Sequence, residues 1–396
     1  MATEVDWSEL PKELLNLISQ CIDNELDLIH FRSICSTWRS SSIPNHHSNI
    51  SSFKFPKYIP PPYSTKNDDN DIIHFIKNSN SPFDSFSKRS LFLVKAPPHQ
   101  TVVLRPWLMQ ICPSSLPNKR GKIMLTYSHP PIRHESAKQL QETLIERADV
   151  LDFNKLSVLH LGTRYISNQY GKCPETALAV TCHGKNPLLL GTLSHFSHLP
   201  VIFRGCNEQW KLFSNLSTVR GDICLFKGRF YVVEMSGRTV KIGPDLTMVL
   251  VAQPLYNLLG DSLIRKMLVE SEGELLLLDI YQSLYQFRID FFKLDEKEKK
   301  WVKLMDYDKK LEKWKLKNFG DMVFFLGSGC SFSASASDLC LTKGNCVIFI
   351  DYYVLSRDDL THGYRVFHLE RNQLSRVSEY PEYFNLFLPP KWILKI

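Results

Sequence analysis

With 396 residues, 43% of them hydrophobic and 22% charged, the chain has room for about two to three domains, or one small module and one large one, and its balance excludes wholesale disorder. Forty-eight basic against 41 acidic residues give a net charge of +7, too mild over this length to argue for nucleic acid. The longest apolar runs, such as Leu275 to Leu278, fall far short of the roughly 20 residues a membrane-crossing helix needs, and Glu4, Asp6, Glu9 and Glu13 punctuate the start, so neither a membrane span nor a secretory leader is expected.

Ten cysteines are scattered at 21, 35, 112, 173, 182, 206, 224, 330, 340 and 346 with no Cys-x-x-Cys. They read as reduced thiols of a protein of the nucleus or cytoplasm, where disulfides seldom persist.

In chain order, the first structured stretch is Leu10 to Arg39, LPKELLNLISQCIDNELDLIHFRSICSTWR. Pro11 sits well in a first helical turn, where its missing N–H costs nothing. Leu10, Leu14, Leu17, Ile18, Cys21 and Ile22 recur at three- and four-residue steps, an apolar stripe on one helix face. Asp23-Asn24 caps a second helix, with Leu26 and Ile29 on one face and Leu28, Phe31 and Cys35 on another; Ser36 caps a third, anchored by Trp38 and stopped by Pro44. So short a unit buries too little surface to stand alone, and its two apolar faces exceed what an internal core requires, so one face is expected to dock on another protein.

These residues resemble the F-box, whose pattern is Leu-Pro, a spaced aliphatic series, an apolar residue before Cys, and Trp-Arg. The resemblance implies a three-helix unit over residues 3–47 that binds the Skp-type adaptor of SCF ubiquitin ligases, and through it the cullin and RING subunits. It assigns adaptor contact to Leu10, Pro11, Leu14, Ile18, Phe31, Ile34, Cys35 and Trp38, with Arg32 and Arg39 on the polar rim.

Residues 48–90 form a polar, proline-rich passage that includes Pro60-Pro61-Pro62 and the acidic stretch Asn67 to Asp71. It reads as a semi-rigid linker and an irregular entry to the body. From residue 91 to 396 the texture is β-rich: Leu91–Lys95, Lys122–Tyr127, Ser157–Leu161, Ala177–Thr181, Leu188–Leu190, Pro200–Phe203 and Trp210–Phe213 read as strands, and Arg133–Val150 as one surface helix. Gly221 to Val233 reads as strand, Lys-Gly turn, strand, followed by Thr239–Ile242 after a Ser236-Gly237 turn. Lys266–Glu270, Gly273–Ile280, Gln286–Leu294, Trp301–Leu304, Met322–Leu326, Asn345–Asp351 and Tyr364–Leu369 continue the series. Blade-sized groups recurring at about 40 to 50 residues favour a β-propeller over a sandwich or another barrel. The fold class is therefore α plus mainly β, a small helical module followed by a large β domain.

A second resemblance lies in GDICLFKGRFYVVEMSGRTVKI from Gly221, in Phe325–Asp338 with Gly344–Asp351, and in FNLFLPPKW from Phe384. These look like the propeller-like C-terminal domain of a large plant F-box family that includes Skp-interacting partners.

Enzyme constellations are absent or incomplete. There is no Gly-x-Gly-x-x-Gly and no phosphate loop. The serines around Gly327-Ser328-Gly329 lack a Gly-x-Ser-x-Gly elbow and read as loop filling. His195 and His198 with Cys182-His183 lack a second pair at metal spacing. Lys293 to Lys315 interleaves Trp301, Tyr307 and Trp314 with lysines, but Asp295, Glu296, Glu298, Asp306, Asp308 and Glu312 nearly neutralise it; its aromatics remain as protein-recognition candidates. No catalytic residue, cofactor, metal or nucleic-acid partner is expected. By resemblance, the chain is the substrate receptor of an SCF ligase, holding a target protein on its β domain. The competing reading is a stand-alone β-propeller enzyme or ligand-binding protein with a helical cap, and a third is an F-box protein working without a cullin. An exposed apolar face on the first helices discriminates for the receptor, and a deep polar pocket against it.

Overall fold

Alternation of apolar side chains along short strands decides this architecture, because in most strands both faces need a neighbour. The structure, a computed structural model, describes residues 10–20, 22, 31, 34–41, 86–96, 104–113, 125–127, 156–167, 176–182, 186–193, 199–204, 209–213, 215–255, 263–282, 287–308, 313–316, 321–327, 331–349, 365–388, 390 and 392. The expected helix over Arg133–Val150, most of the proline-rich linker, residues 23–30, 32 and 33 of the second helix, and His183, His195 and His198 lie outside them.

The body opens with an antiparallel eight-stranded sheet in the order β3-β2-β1-β4-β5-β6-β7-β8, formed by β1 (Phe86–Lys95), β2 (Trp107–Pro113), β3 (Leu125–Tyr127), β4 (Ser157–Ser167), β5 (Thr176–Cys182), β6 (Asn186–Leu193), β7 (Leu199–Arg204) and β8 (Gln209–Leu212). A four-stranded meander follows: β9 (Asp222–Phe226), β10 (Arg229–Val233), β11 (Thr239–Ile242) and β12 (Met248–Ala252). A second meander consists of β13 (Leu263–Ser271), β14 (Glu274–Gln282), β15 (Phe287–Asp295) and β16 (Lys300–Lys303); β17 (Met305–Asp308) and β18 (Lys313–Leu316) form a separate hairpin. The last group is β19 (Met322–Leu326), β20 (Phe332–Ser335), β21 (Cys346–Phe349), β22 (Arg365–His368) and β23 (Gln373–Arg376). It joins the second meander through a single parallel bridge, Glu270 to Phe332.

The two tightest hairpins show why the chain turns where it does. Phe226 pairs with Arg229 across Lys227-Gly228 (φ 48° and 70°), and Ser271 with Glu274 across Glu272-Gly273 (φ 51° and 75°). Two left-handed residues in a two-residue loop match the twist of the flanking strands, and glycine takes that conformation at little cost.

Burial then links the units in a circle. Val232 of β10 packs with Leu188, Leu190 and Ile202 of the first sheet, while its neighbours Tyr231 and Val233 face the second meander. In β14, Leu275 and Leu277 point back to the first meander, and Leu276 and Leu278 forward to Phe324, Val347 and Phe367. In β19, Phe324 faces β14, whereas Val323 and Phe325 face Leu91, Leu93 and Leu108 of β1 and β2, which returns the stack to its start. The segment after β23 covers this last interface with Val377, Tyr383, Leu386 and Phe387. Trp392 packs on the other face of β1 with Phe92 and Trp107 and donates its indole N–H to the Arg105 carbonyl at 2.9 Å.

Strand β1 begins at Phe86, ahead of the expected start at Leu91. Strands β2, β12, β17, β18, β20 and β23 arise where no strand was predicted. The serine-rich stretch, expected as loop, is strand over Phe332–Ser335 and turn from Ala336 on: in the strand Phe332 and Ala334 are buried and alternate with Ser333 and Ser335, a period of two disguised by small side chains.

Candidate protein-docking surface

Two of the N-terminal helices are described, α1 (Lys12–Gln20) and α2 (Ser36–Ser41), and they pack on each other. Helix α1 starts where the Pro11 carbonyl accepts the Leu15 N–H at 3.0 Å, with Glu13 in the first turn against the positive end of the helix dipole. Cys35 opens α2, its carbonyl accepting the Arg39 N–H at 3.0 Å, and Ser36, the predicted cap, is the first helical residue. The Ser41 hydroxyl donates to the Thr37 carbonyl at 2.8 Å and the Ser19 hydroxyl to Asn16 at 2.8 Å, so these two buried hydroxyls are satisfied within their own helices.

Leu15 and Ser19, one turn apart, form the inward face of α1; both are fully buried. Phe31 is buried too, its ring centroid 4.5 Å from that of Trp38. The outward face is apolar as well. Leu14 is 43% exposed, Leu17 59%, Ile18 36% and Ile34 58%, a concentration of large aliphatic side chains in water that a small unit carries only when something covers it.

Of the residues singled out from sequence, Leu14, Ile18 and Ile34 stand exposed, Pro11 and Arg39 exposed beside them, and Leu10, Cys35 and Trp38 half-buried. Phe31 is turned inside, and Arg32 lies outside the described residues. Leu17, in the apolar stripe but not among the assigned contacts, is the most exposed aliphatic of the helix. Sequence periodicity put Leu14 in the apolar stripe and passed over Leu15, whose neighbour one turn on, Ser19, is polar; the structure buries Leu15 and turns Leu14 outward.

The β body's polar clusters hold structure together. The Ser335 hydroxyl donates to Asp338 at 2.8 Å, and the Lys95 ammonium pairs with the same carboxylate, so this cluster is a turn closed by an ion pair. Trp301, expected as an exposed recognition aromatic, is corrected: it is buried and its indole N–H is shared between the Gly237 carbonyl (3.0 Å) and the Thr239 hydroxyl (3.1 Å). Two of the lysines around it are paired, Lys293 with Glu274 at 3.1 Å and Lys303 with Asp290 at 3.3 Å.

Sequence reasoning missed a buried charged row across the second meander. Lys266, Asp279 and Asp290 are registered neighbours on β13, β14 and β15, and the Lys266 ammonium meets Asp279 at 2.5 Å. Burial lowers the Lys266 pKa, with Asp279 and Asp290 opposing the shift. On β9, Asp222 bridges the two meanders by accepting the Ile223 and Leu268 N–H groups, both at 2.9 Å. The signal was in the strands: single charges inside ELLLLDI and FRIDFF survive only where a partner strand answers them.

Residues 151–368 match the KIB1-4 β-propeller family. Over 425 residues the chain is 30% identical to the F-box protein SKIP23 of Arabidopsis thaliana, covering 98% of this chain and 96% of that protein. It is 28% identical over 431 residues to a second F-box protein of the same plant, covering 98% and 95%.

Proposed function

Because the chain belongs to the KIB1-4 β-propeller family of F-box proteins, we propose that it is the substrate-recognition subunit of an SCF ubiquitin ligase, working in the nucleus or cytoplasm. The helical module docks on a Skp-type adaptor, which carries the cullin and RING subunits, and the β body holds a target protein. The chain supplies no catalysis of its own. Its work is positioning, since a tethered target meets the ubiquitin donor at a raised effective concentration, and the ubiquitinated target passes to the proteasome.

The observation that carries this reading is the outward face of Leu14, Leu17, Ile18 and Ile34. Covering the exposed part of such side chains contributes on the order of 1 kcal/mol each, enough in sum to support a helix-in-groove contact. Leu17 joins the assigned contacts here, and Phe31 holds the helices together from inside. The test is capture of purified Skp-type adaptor by the full-length chain and by a Leu10→Ala, Pro11→Ala double variant. The wild-type chain binds and the double variant does not, while its circular dichroism stays unchanged; adaptor binding that survives the double change removes the assignment.

A further inference from the structure

Where the two meanders meet at their hairpin ends, Phe226 at the end of β9 and Lys227 of the β9–β10 turn, Glu274 and Leu275 of β14, Leu294 and Asp295 at the end of β15 with Glu296 and Lys297 beyond it, and Val302 of β16 line a cleft of about 540 Å³, within the size range of anchor pockets. Its walls are stiff. Left-handed residues fix the Lys227-Gly228 and Glu272-Gly273 turns, and the Tyr231 hydroxyl, at 2.6 Å, and the Lys241 ammonium, at 2.6 Å, grip Glu296 from the neighbouring meander. Phe226, Leu275 and Leu294 supply an apolar floor, and Val302 stands 41% exposed at its side.

The charges around this floor are unequal in availability. Glu274 is engaged by Lys293 and Glu296 by Lys241 and Tyr231, and the Asp295 carboxylate accepts the Glu298 N–H at 3.1 Å. Desolvation works against ionisation of Glu296, but the hydrogen bonds from Lys241 and Tyr231 outweigh it and hold its pKa below the usual value, so this acid is committed where it is. Among the described residues, Lys227 and Lys297 have no acidic partner at ion-pair distance, and Lys227 lies over the Phe226 ring at 4.8 Å. An apolar floor beside two acids paired with lysines, Glu274 and Glu296, and two lysines without an acidic partner, Lys227 and Lys297, is complementary to negative charge flanking an apolar side chain.

We propose that this cleft is a docking site for an acidic linear peptide segment of a target protein, its apolar anchor over Phe226, Leu294 and Val302 and its carboxylates on Lys227 and Lys297. This rests on the receptor reading above, and the experiment separates the two. A random 12-residue display library is panned against the full-length protein, and selected peptides are titrated by fluorescence anisotropy against wild type, Lys227→Glu/Lys297→Glu, Val302→Asp and the remote control Lys343→Glu, with adaptor capture measured on the same preparations. Selected peptides are expected to be net acidic with a large apolar residue, and to lose about tenfold or more in affinity in the double charge reversal and in Val302→Asp but not in Lys343→Glu. No selection above background, neutral or basic selected peptides, or affinities untouched by the reversal overturn the proposal. Failed peptides with adaptor capture intact remove the cleft alone; failed adaptor capture with peptides bound removes the receptor reading and leaves the cleft.

Discussion

The β body and the helical module spend their apolar residues in opposite ways. In β10, β14 and β19 the side chains alternate between two clusters, so each unit is closed on both faces by units of the same chain. In α1 the same alternation of faces buries Leu15 and leaves Leu14, Leu17 and Ile18 in water. Strands answered on both faces within the chain are self-sufficient, whereas a helix with one unanswered face is complete only with a partner. Mutations of similar chemistry should therefore act on folding in one region and on association in the other.

The largest effect belongs to the middle of the ring. Phe324 is fully buried, its ring 5.0 Å from that of Phe291. Phe324→Ala leaves a cavity between the second meander and the last group of strands and should cost about 3–5 kcal/mol of unfolding free energy, measured by urea denaturation followed by tryptophan fluorescence. A loss below about 1 kcal/mol would mean that the stack is looser than the ring requires.

Next is the closure of the ring. Trp392 fills the cluster with Phe92, Val94, Trp107 and Met109, and Arg105, which accepts its indole N–H on the backbone, sends its guanidinium to the Leu388 carbonyl at 3.1 Å. The C-terminal segment thus clasps the first strands of the body from beyond the residues that match the family. Trp392→Ala should cost about 2–4 kcal/mol, and hydrogen exchange should rise first in β1 and β2. Faster exchange confined to β9–β12 would contradict the clasp.

A pH dependence sharpens the contrast between the two meanders' interface and the exposed helices. Burial pushes the Asp222 carboxyl up from 3.8 to about 7 despite the N–H groups of Leu268 and Ile223 and the charge of Arg265. The folded protein binds this proton more tightly than the unfolded chain, so the contribution is fully present below about pH 4 and is lost as pH rises through 7. Linkage gives about 2 kcal/mol lost between pH 5 and pH 7. Asp222→Asn should flatten this slope in thermal melts across that window; an unchanged slope would assign it to another group.

How much of this was readable in advance depended on whether burial leaves a one-dimensional trace. The Lys227-Gly228 turn was readable because its glycine takes left-handed backbone at little cost. Strand β20 was not, since Ser333 and Ser335 alternate with residues as small as Ala334 and contrast is lost. Strand β2 was hidden because Trp107, Leu108 and Met109 are all buried, so no alternation survives a strand covered on both faces. The burial of Trp301 depended on Gly237 and Thr239, about 60 positions away in the chain, a partnership that local composition cannot announce. In the helices, the composition identified two apolar faces, and only packing chose Leu15 for the inside.

The smallest effect on stability should come from the residues that matter most for association. Leu17→Ala removes a side chain that is 59% exposed; what it loses in the free chain is little more than helix propensity in reverse, within about 0.5 kcal/mol of zero. Against a Skp-type adaptor the same truncation should weaken binding by about 1–2 kcal/mol, roughly five- to thirtyfold, read by isothermal titration with urea melts run in parallel. Leu15→Ala reverses the pattern, costing about 2–5 kcal/mol of stability, since Leu15 is fully buried. If Leu17→Ala instead destabilised the free protein as much as Leu15→Ala, the outward face would already be covered within the chain, and the contrast between a closed ring and an open helical face would not stand.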